Sequence, residues 1–183
     1  MEKRIIFMGA DAAGFRLKEE IKAHLSKKGY EVFDMGTNSD ESCHYPVFAD
    51  HVCRAVQNCP NTSFGILICG TGIGMSMCAN KYKGIRAGLC GDTYSAEMTR
   101  KHNDANVLCM GARVIKPKLA RAIVDEFLKH EFEGGRHQIR LNMMADYEAQ
   151  NNEITFCVGR FNNNLCKFCT FIRLQSVLYG RKP

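Results

Sequence analysis

Phe64–Gly74 reads FGILICGTGIG, and the rest of the chain can be placed around it. Phe64, Ile66, Leu67 and Ile68 form an apolar run that stops at Cys69, and three of the next five residues are glycines: Gly70, Gly72 and Gly74. A run this apolar is the pattern of a parallel strand buried on both faces. The glycines let the backbone turn sharply and bring N–H groups close to an anion at a helix start. A thiol at the mouth of such a loop can act as a base or a nucleophile beside a ready-made anion hole. The plainer alternative is a buried strand cysteine followed by a tight turn.

Two familiar glycine loops are excluded. A P-loop carries Lys-Ser/Thr after its last glycine, whereas Met75-Ser76 follows Gly74. The dinucleotide fingerprint needs a further glycine three residues after the second, and counting from Gly70 and Gly72 that position is Met75.

Outward from this stretch the chain alternates short apolar runs with amphipathic ones. Strands are expected at Arg4–Ala10, Glu31–Met35, Phe64–Cys69, Arg86–Cys90 and Val107–Met110. Phe15–Lys28 has helical spacing, with Phe15, Leu17, Ile21 and Leu25 on one face and Gly29 to end it. Further helices are expected at Pro46–Val56, opened by its proline, Gly74–Asn80, Thr93–Lys101, Pro117–Lys129 and Gln138–Ala149. Strand–helix repetition with apolar strands predicts an α/β fold, a single doubly wound, Rossmann-like, five-stranded parallel sheet with helices on both faces. Ligands bind beyond the carboxyl ends of such strands, which singles out Asp11, Cys69, Gly91-Asp92 and Arg113.

At 183 residues the chain suits one domain with a sizeable core. No apolar stretch approaches a membrane span, and MEKRIIFMGAD leads straight into a strand, so neither a leader nor a membrane segment is expected. Ten cysteines, most of them in apolar patterns (Cys53, Cys78, Cys90, Cys109), fit reduced cytoplasmic thiols used as small hydrophobes. The net charge is +6, but residues 151–183 hold five Lys/Arg against Glu153 alone, leaving about +2 for the first 150. That is too little for a nucleic-acid protein, and it suits a small anionic substrate.

We therefore divide the chain into a domain over 1–150 and a C-terminal extension over 151–183, asparagine-rich, basic, without clear periodicity and poorly packed. Within the extension Cys166 and Cys169 form a lone CxxC, with Cys157 nine residues earlier. A zinc site normally needs a second pair, so no metal is assigned.

Two charged clusters stand apart from Cys69. Lys101-His102-Asn103-Asp104-Ala105-Asn106 lies where a helix gives way to a strand, and it is read here as part of the ligand-binding edge. In Gly134-Gly135-Arg136-His137-Gln138-Ile139-Arg140 the two arginines, four apart, share one helical face near a helix start. Two guanidiniums there can clamp a phosphate, or simply form a solvated basic face.

Several motifs in order resemble the ribose-5-phosphate isomerase type B family, which also contains the galactose-6-phosphate isomerase subunits. They are G-A-D-A-A-G-F at 9–15, Y-P-x-F-A at 45–49, I-C-G-T-G-I-G-M-S at 68–76, A-N-K at 79–81 and G-I-R-A at 84–87. S-A-x-x-x-R-x-H-N-D-A-N at 95–106, G-x-R at 111–113 and E-G-G-R-H at 133–137 complete the set, which spans roughly residues 4–150.

The resemblance implies a homodimer, or a dimer of dimers, with shared active sites and no metal or organic cofactor. It implies Cys69 as the base that moves a proton between C2 and C1 of an open-chain sugar phosphate. His102 would be the acid that opens the furanose ring. The backbone of Gly70, Thr71, Gly72, Ile73 and Gly74 would hold the enediolate. Asp11 and Asn103 would polarise sugar oxygens, and Arg113, Arg136 and Arg140 would bind phosphate. Two positions depart from the family: Ala12 stands where a histidine usually contacts substrate, and His44 where an aspartate usually precedes Tyr45-Pro46. The expected reaction is interconversion of D-ribose 5-phosphate and D-ribulose 5-phosphate. The alternatives are a six-carbon aldose-6-phosphate isomerase and a non-catalytic sugar-phosphate-binding protein.

Overall fold

A computed structural model describes residues 4–153. The first compact unit is Met1–Ala145; a second begins at Asp146, and of it only the helical residues 146–153 are described. The elements run β1 (Ile5–Ala10), α1 (Phe15–Lys27), β2 (Val32–Asp34), α2 (Tyr45–Asn58), β3 (Ser63–Cys69), α3 (Ile73–Ala79), β4 (Ala87–Leu89), α4 (Thr93–Asn103), β5 (Val107–Gly111), α5 (Pro117–Lys129) and α6 (Arg136–Glu153). The expected elements are all present, most with ends displaced by one or two residues, and the sheet is the expected α/β one. The CxxC at Cys166 and Cys169 lies outside the described residues.

The five strands are parallel in the order β2-β1-β3-β5-β4. β3 sits at the centre and is buried along its whole length. Its side chains alternate between two cores, as a period of two demands. Phe64, Ile66 and Ile68 face one side with Leu17, Ile21, Leu25, Ile123 and Phe127. Leu67 and Cys69 face the other with Val52, Cys53, Met75, Val107 and Cys109. α1, α4 and α5 thus cover one face, while α2 and α3 cover the other.

Local chemistry ends these helices where it should. Gly29 takes φ +76°, and its N–H reaches the carbonyl of Ser26 while that of Tyr30 reaches Leu25, closing α1 with a left-handed glycine. Asp92 opens α4 by accepting the Ser95 N–H at 2.7 Å, so its carboxylate has a structural role as the helix cap. His44, in the same position ahead of α2, makes no side-chain cap.

The sheet also sets where a ligand can sit. β1 connects through α1 to β2 on one side, whereas β3 lies against the other side of β1. The loops after β1 and β3 consequently leave toward opposite faces of the sheet and open a crevice between them.

Candidate active site

The loop after β3 is held by contacts that only glycine allows. Gly72 has φ +79°, and a Cβ there would lie 2.5 Å from Leu89 Cδ1 and 2.8 Å from the Met110 carbonyl carbon. A Cβ on Gly74 would strike the Tyr45 ring at 2.8 Å, which explains why Tyr45-Pro46 and the glycine loop occur together. Gly111, at the end of β5, approaches the Thr71 carbonyl so closely that a Cβ would meet it at 2.6 Å. The loop is therefore clamped between the end of β5 and the start of α2.

Cys69, the last residue of β3, is 5% exposed, and the Gly72 N–H points to its Sγ at 3.1 Å. The other cysteines of the core are chemically muted: burial pushes the Cys53 and Cys90 thiols up to about 12 and carries Cys109 well above its ordinary value. Asp11 follows β1. Its N–H is tied to Ile68 O at 3.2 Å, beside Cys69, and its Oδ1 accepts the Gly14 N–H at 3.0 Å. Ala12 is half-buried in the same turn. Gly14 must be glycine because a Cβ would come within 2.3 Å of the Ile68 carbonyl oxygen. Arg113 belongs to this edge as well. Its N–H donates to Gly70 O at 2.9 Å, and its side chain lies over Gly70, 3.5 Å from where a Cβ would stand. Asp11, Ala12, Cys69, Gly70–Gly74 and Arg113 thus form one cluster at the carboxyl edge of the sheet.

His102, Asn103, Arg136 and Arg140 do not join that cluster, which corrects the placement of His102 and Asn103 on the ligand-binding edge. Helices in a parallel sheet run opposite to the strands, so the last turn of α4 comes down beside the amino end of β5. The pairing Gly65↔Val107 marks that end and Cys69↔Gly111 the other. Four residues at about 3.3 Å each put roughly 13 Å of strand between the two edges.

The second cluster is built as firmly as the first. Arg100, 1% exposed, lies 4.7 Å over the Phe64 ring and 5.7 Å over Phe127. Its Nη1 donates to Asp104 Oδ1 at 2.9 Å and to Ala105 O at 2.6 Å, and Arg86 grips the same carboxylate at 2.6 Å. Those contacts hold Asp104 at φ +45° and so fix the end of α4, on which His102 and Asn103 stand. Asn106, by contrast, is spent on the backbone of Gly84 and Arg86. The Glu133 N–H donates to Lys101 O at 3.0 Å and brings the start of α6 alongside.

There the His137 ring stacks on His102 with centroids 4.1 Å apart and planes 6° from parallel. Glu133 Oε2 stands 3.8 Å from His102 Nε2. Arg136 and Arg140 are exposed on α6 beside this stack. Donor atoms of His102, Glu133 and His137 fall within 4.8 Å of one another. Parallel rings, however, cannot both aim an in-plane lone pair at one ion about 2.0–2.1 Å from each nitrogen. His137 and Glu133 were not singled out by sequence reasoning as contributors, although both lie in the quoted E-G-G-R-H motif.

A five-stranded parallel sheet with a thiol and a glycine loop at its switch point is the architecture of a small-molecule α/β enzyme. The chain belongs to the Ribose/Galactose Isomerase family, whose profile matches residues 6–144. It is 49% identical over 150 residues to ribose-5-phosphate isomerase B of Escherichia coli, covering 82% of this chain and 99% of that one. The structure of Clostridium thermocellum ribose-5-phosphate isomerase B is similar with a TM-score of 0.78 and 48% identity, covering 80% of this chain and 98% of that one. Ribose-5-phosphate isomerase B from Mycoplasma genitalium with bound ribulose-5-phosphate has a TM-score of 0.78 at 42% identity, covering 81% of this chain and 99% of that one.

Proposed function

We propose that the chain is an aldose–ketose isomerase that interconverts D-ribose 5-phosphate and D-ribulose 5-phosphate through an enediolate. The observation that carries the reading is the thiol of Cys69 at the switch point, with the Gly72 N–H directed at its sulfur and the Gly70–Gly74 backbone around it. Removal of the C2 proton by the thiolate leaves negative charge on the former carbonyl oxygen. Backbone N–H groups of the loop stabilise that charge as it develops. Cys69 then returns the proton to C1 while the hydroxyl proton passes from O2 to O1, which leaves the carbonyl at C2 and converts aldose to ketose. Asp11 orients the sugar hydroxyls beside the thiol.

Ring opening must come first, and it needs an acid at the ring oxygen. We assign this to His102, with Asn103 polarising a sugar oxygen and Arg136 and Arg140 holding the phosphate together with Arg113. Because these groups stand about 13 Å of strand away from Cys69 in one chain, the site is completed by a second copy. A two-fold dimer serves both halves at once: each chain's amino-edge cluster meets its partner's carboxyl edge. Exposed Ile139, Met143 and Met144 on α6 and Ile73 and Met77 on α3 give both edges apolar surface to bury in such a contact. Residues 1–150 constitute this enzyme unit in our reading, and 151–183 an extension outside it. No described helix is long and apolar enough to cross a membrane; a cytoplasmic location and free cysteines go together with this metabolic role.

The test is Cys69→Ala in a direct assay of ribulose 5-phosphate formation. Loss of the base costs about 100- to 10,000-fold in kcat, while binding of a phosphorylated sugar acid persists. Near-normal turnover would place the base elsewhere.

A further inference from the structure

α6 begins with a contrast: Arg136 and Arg140 are exposed, while His137 between them is 5% exposed and lies flat on His102. Charged groups face this stack from every side. On α6, Arg136 Nε donates to His137 Nε2 at 3.4 Å, and Arg140 is near enough to act on the same ring. From the segment before α6, Glu133 reaches within 3.8 Å of His102 Nε2; from α4, Lys101 Nζ stands 3.6 Å from the other oxygen of Glu133. A ring nitrogen that accepts from a guanidinium carries no proton of its own, so this contact favours the neutral His137 ring with its hydrogen on Nδ1. Burial, the neighbouring His102 and the two arginines, opposed by Glu133, hold its imidazole below the ordinary 6.5.

Two imidazolium rings face to face at this separation repel, so the pair titrates as a unit and not as two independent sites. The positive potential of Arg136 and Arg140 opposes even the first proton, and an oxyanion seated on those guanidiniums removes the opposition. We propose that the His102–His137 stack holds one proton and that an oxyanion bound at Arg136 and Arg140 draws this proton onto it. The phosphate end of the substrate thereby loads the acid that opens its own ring. The inference rests on the reading of Arg136 and Arg140 as phosphate ligands and of His102 as the acid. The proton comes from solvent, settles on His102 beside Glu133 and passes to the ring oxygen. His137 never touches the sugar in this scheme; it is a positioning residue, holding the plane of His102 and refusing a second proton.

Ring resonances of both histidines in the full-length protein, followed by NMR from about pH 5 to 8, test this directly. Sulfate is the probe, because it stays a dianion throughout. Without sulfate, the two rings together are expected to take up no more than one proton in this range. Saturating sulfate should raise the His102 midpoint by about one unit, and His102→Asn should raise that of His137. His137→Gln should keep the sulfate response of His102, which a loss of folding would not. Saturable shifts of the arginine resonances with unmoved histidine midpoints would overturn the coupling, as would protonation of both rings together. Failure of sulfate to perturb Arg136 or Arg140 would overturn the phosphate assignment and the coupling with it.

Discussion

If the amino-edge cluster of one chain completes the carboxyl-edge cluster of another, two dead variants should revive each other. Cys69→Ala removes the proposed base from one edge, and His102→Asn removes the proposed acid from the other. Each homodimer then has two defective sites. Neither change threatens the fold: Cys69 loses one sulfur at a strand end, and the His102 side chain is 34% exposed. Unfolding and refolding an equimolar mixture reassorts the chains at random, so about half of the dimers carry one of each. In such a dimer both lesions fall in one site, and the other pairs an intact Cys69 with an intact His102. One site in two, in half of the molecules, gives about a quarter of the wild-type rate. The assay is ribulose 5-phosphate formation before and after reassortment, with native mass spectrometry to count the mixed dimers. Mixed dimers without activity would refute the shared site and require one chain to span both edges of its own sheet.

Ala12→His restores a charge-assisted contact to the turn beside Asp11; at about 1.5–3 kcal/mol it should lower KM for ribose 5-phosphate by about ten- to a hundredfold, with less change in kcat. If Ala12 instead makes room for a longer sugar, the same variant should lose activity on allose or galactose 6-phosphate. Lys18 is fully buried and paired with Asp34, whose carboxyl is held below 3.8 because hydrogen bonds from Lys18 and Lys22 outweigh its burial. A depressed carboxyl stabilises the fold above its ordinary value and loses that contribution as pH falls below it, so thermal unfolding should steepen with acid under about pH 3.8 in the native chain and less in Asp34→Asn. At neutral pH that variant should cost about 3 kcal/mol, since Lys18 keeps only Glu19 at 2.8 Å. Truncation after residue 150 should leave turnover and the dimeric state unchanged; a lost dimer would assign the extension to the interface.

Much of the fold was legible because its elements obey simple periods. β3 alternates between two cores, and Gly29, Pro46 and Pro117 mark helix ends by backbone preference alone. Lys18 was not legible. It stands beside Leu17 on the buried side of α1, and its place is set by Asp34, sixteen residues on and at the end of another strand. Spacing rules see only neighbours on one element, and a buried cation paired across elements escapes them. Arg100 is similar: its partners Phe64 and Phe127 lie on a strand and a helix that only the tertiary fold brings to it.

The candidate site was legible in its parts and not in its arrangement. Cys69, Asp11 and Arg113 end strands or follow them, so the rule that ligands bind beyond strand carboxyl ends points to the one edge at which the structure gathers them. His102 and Asn103 also flank a strand, but they precede it. Direction along the chain, not proximity in sequence, decides the edge: a residue that closes a helix ahead of a strand is carried to the amino end. Applied from the outset, that rule separates Asp11, Cys69 and Arg113 from His102 and Asn103; Arg136 and Arg140 precede no described strand, and the contact of Glu133 N–H with Lys101 O is what brings them to the amino edge. In the proposed mechanism either group by itself lacks an acid or lacks a base. An isomerisation that opens a ring and then moves a carbon-bound proton needs both, and a sheet about 13 Å deep cannot fold back to join its own edges. Two-fold pairing is the simplest symmetry that supplies each site with both groups.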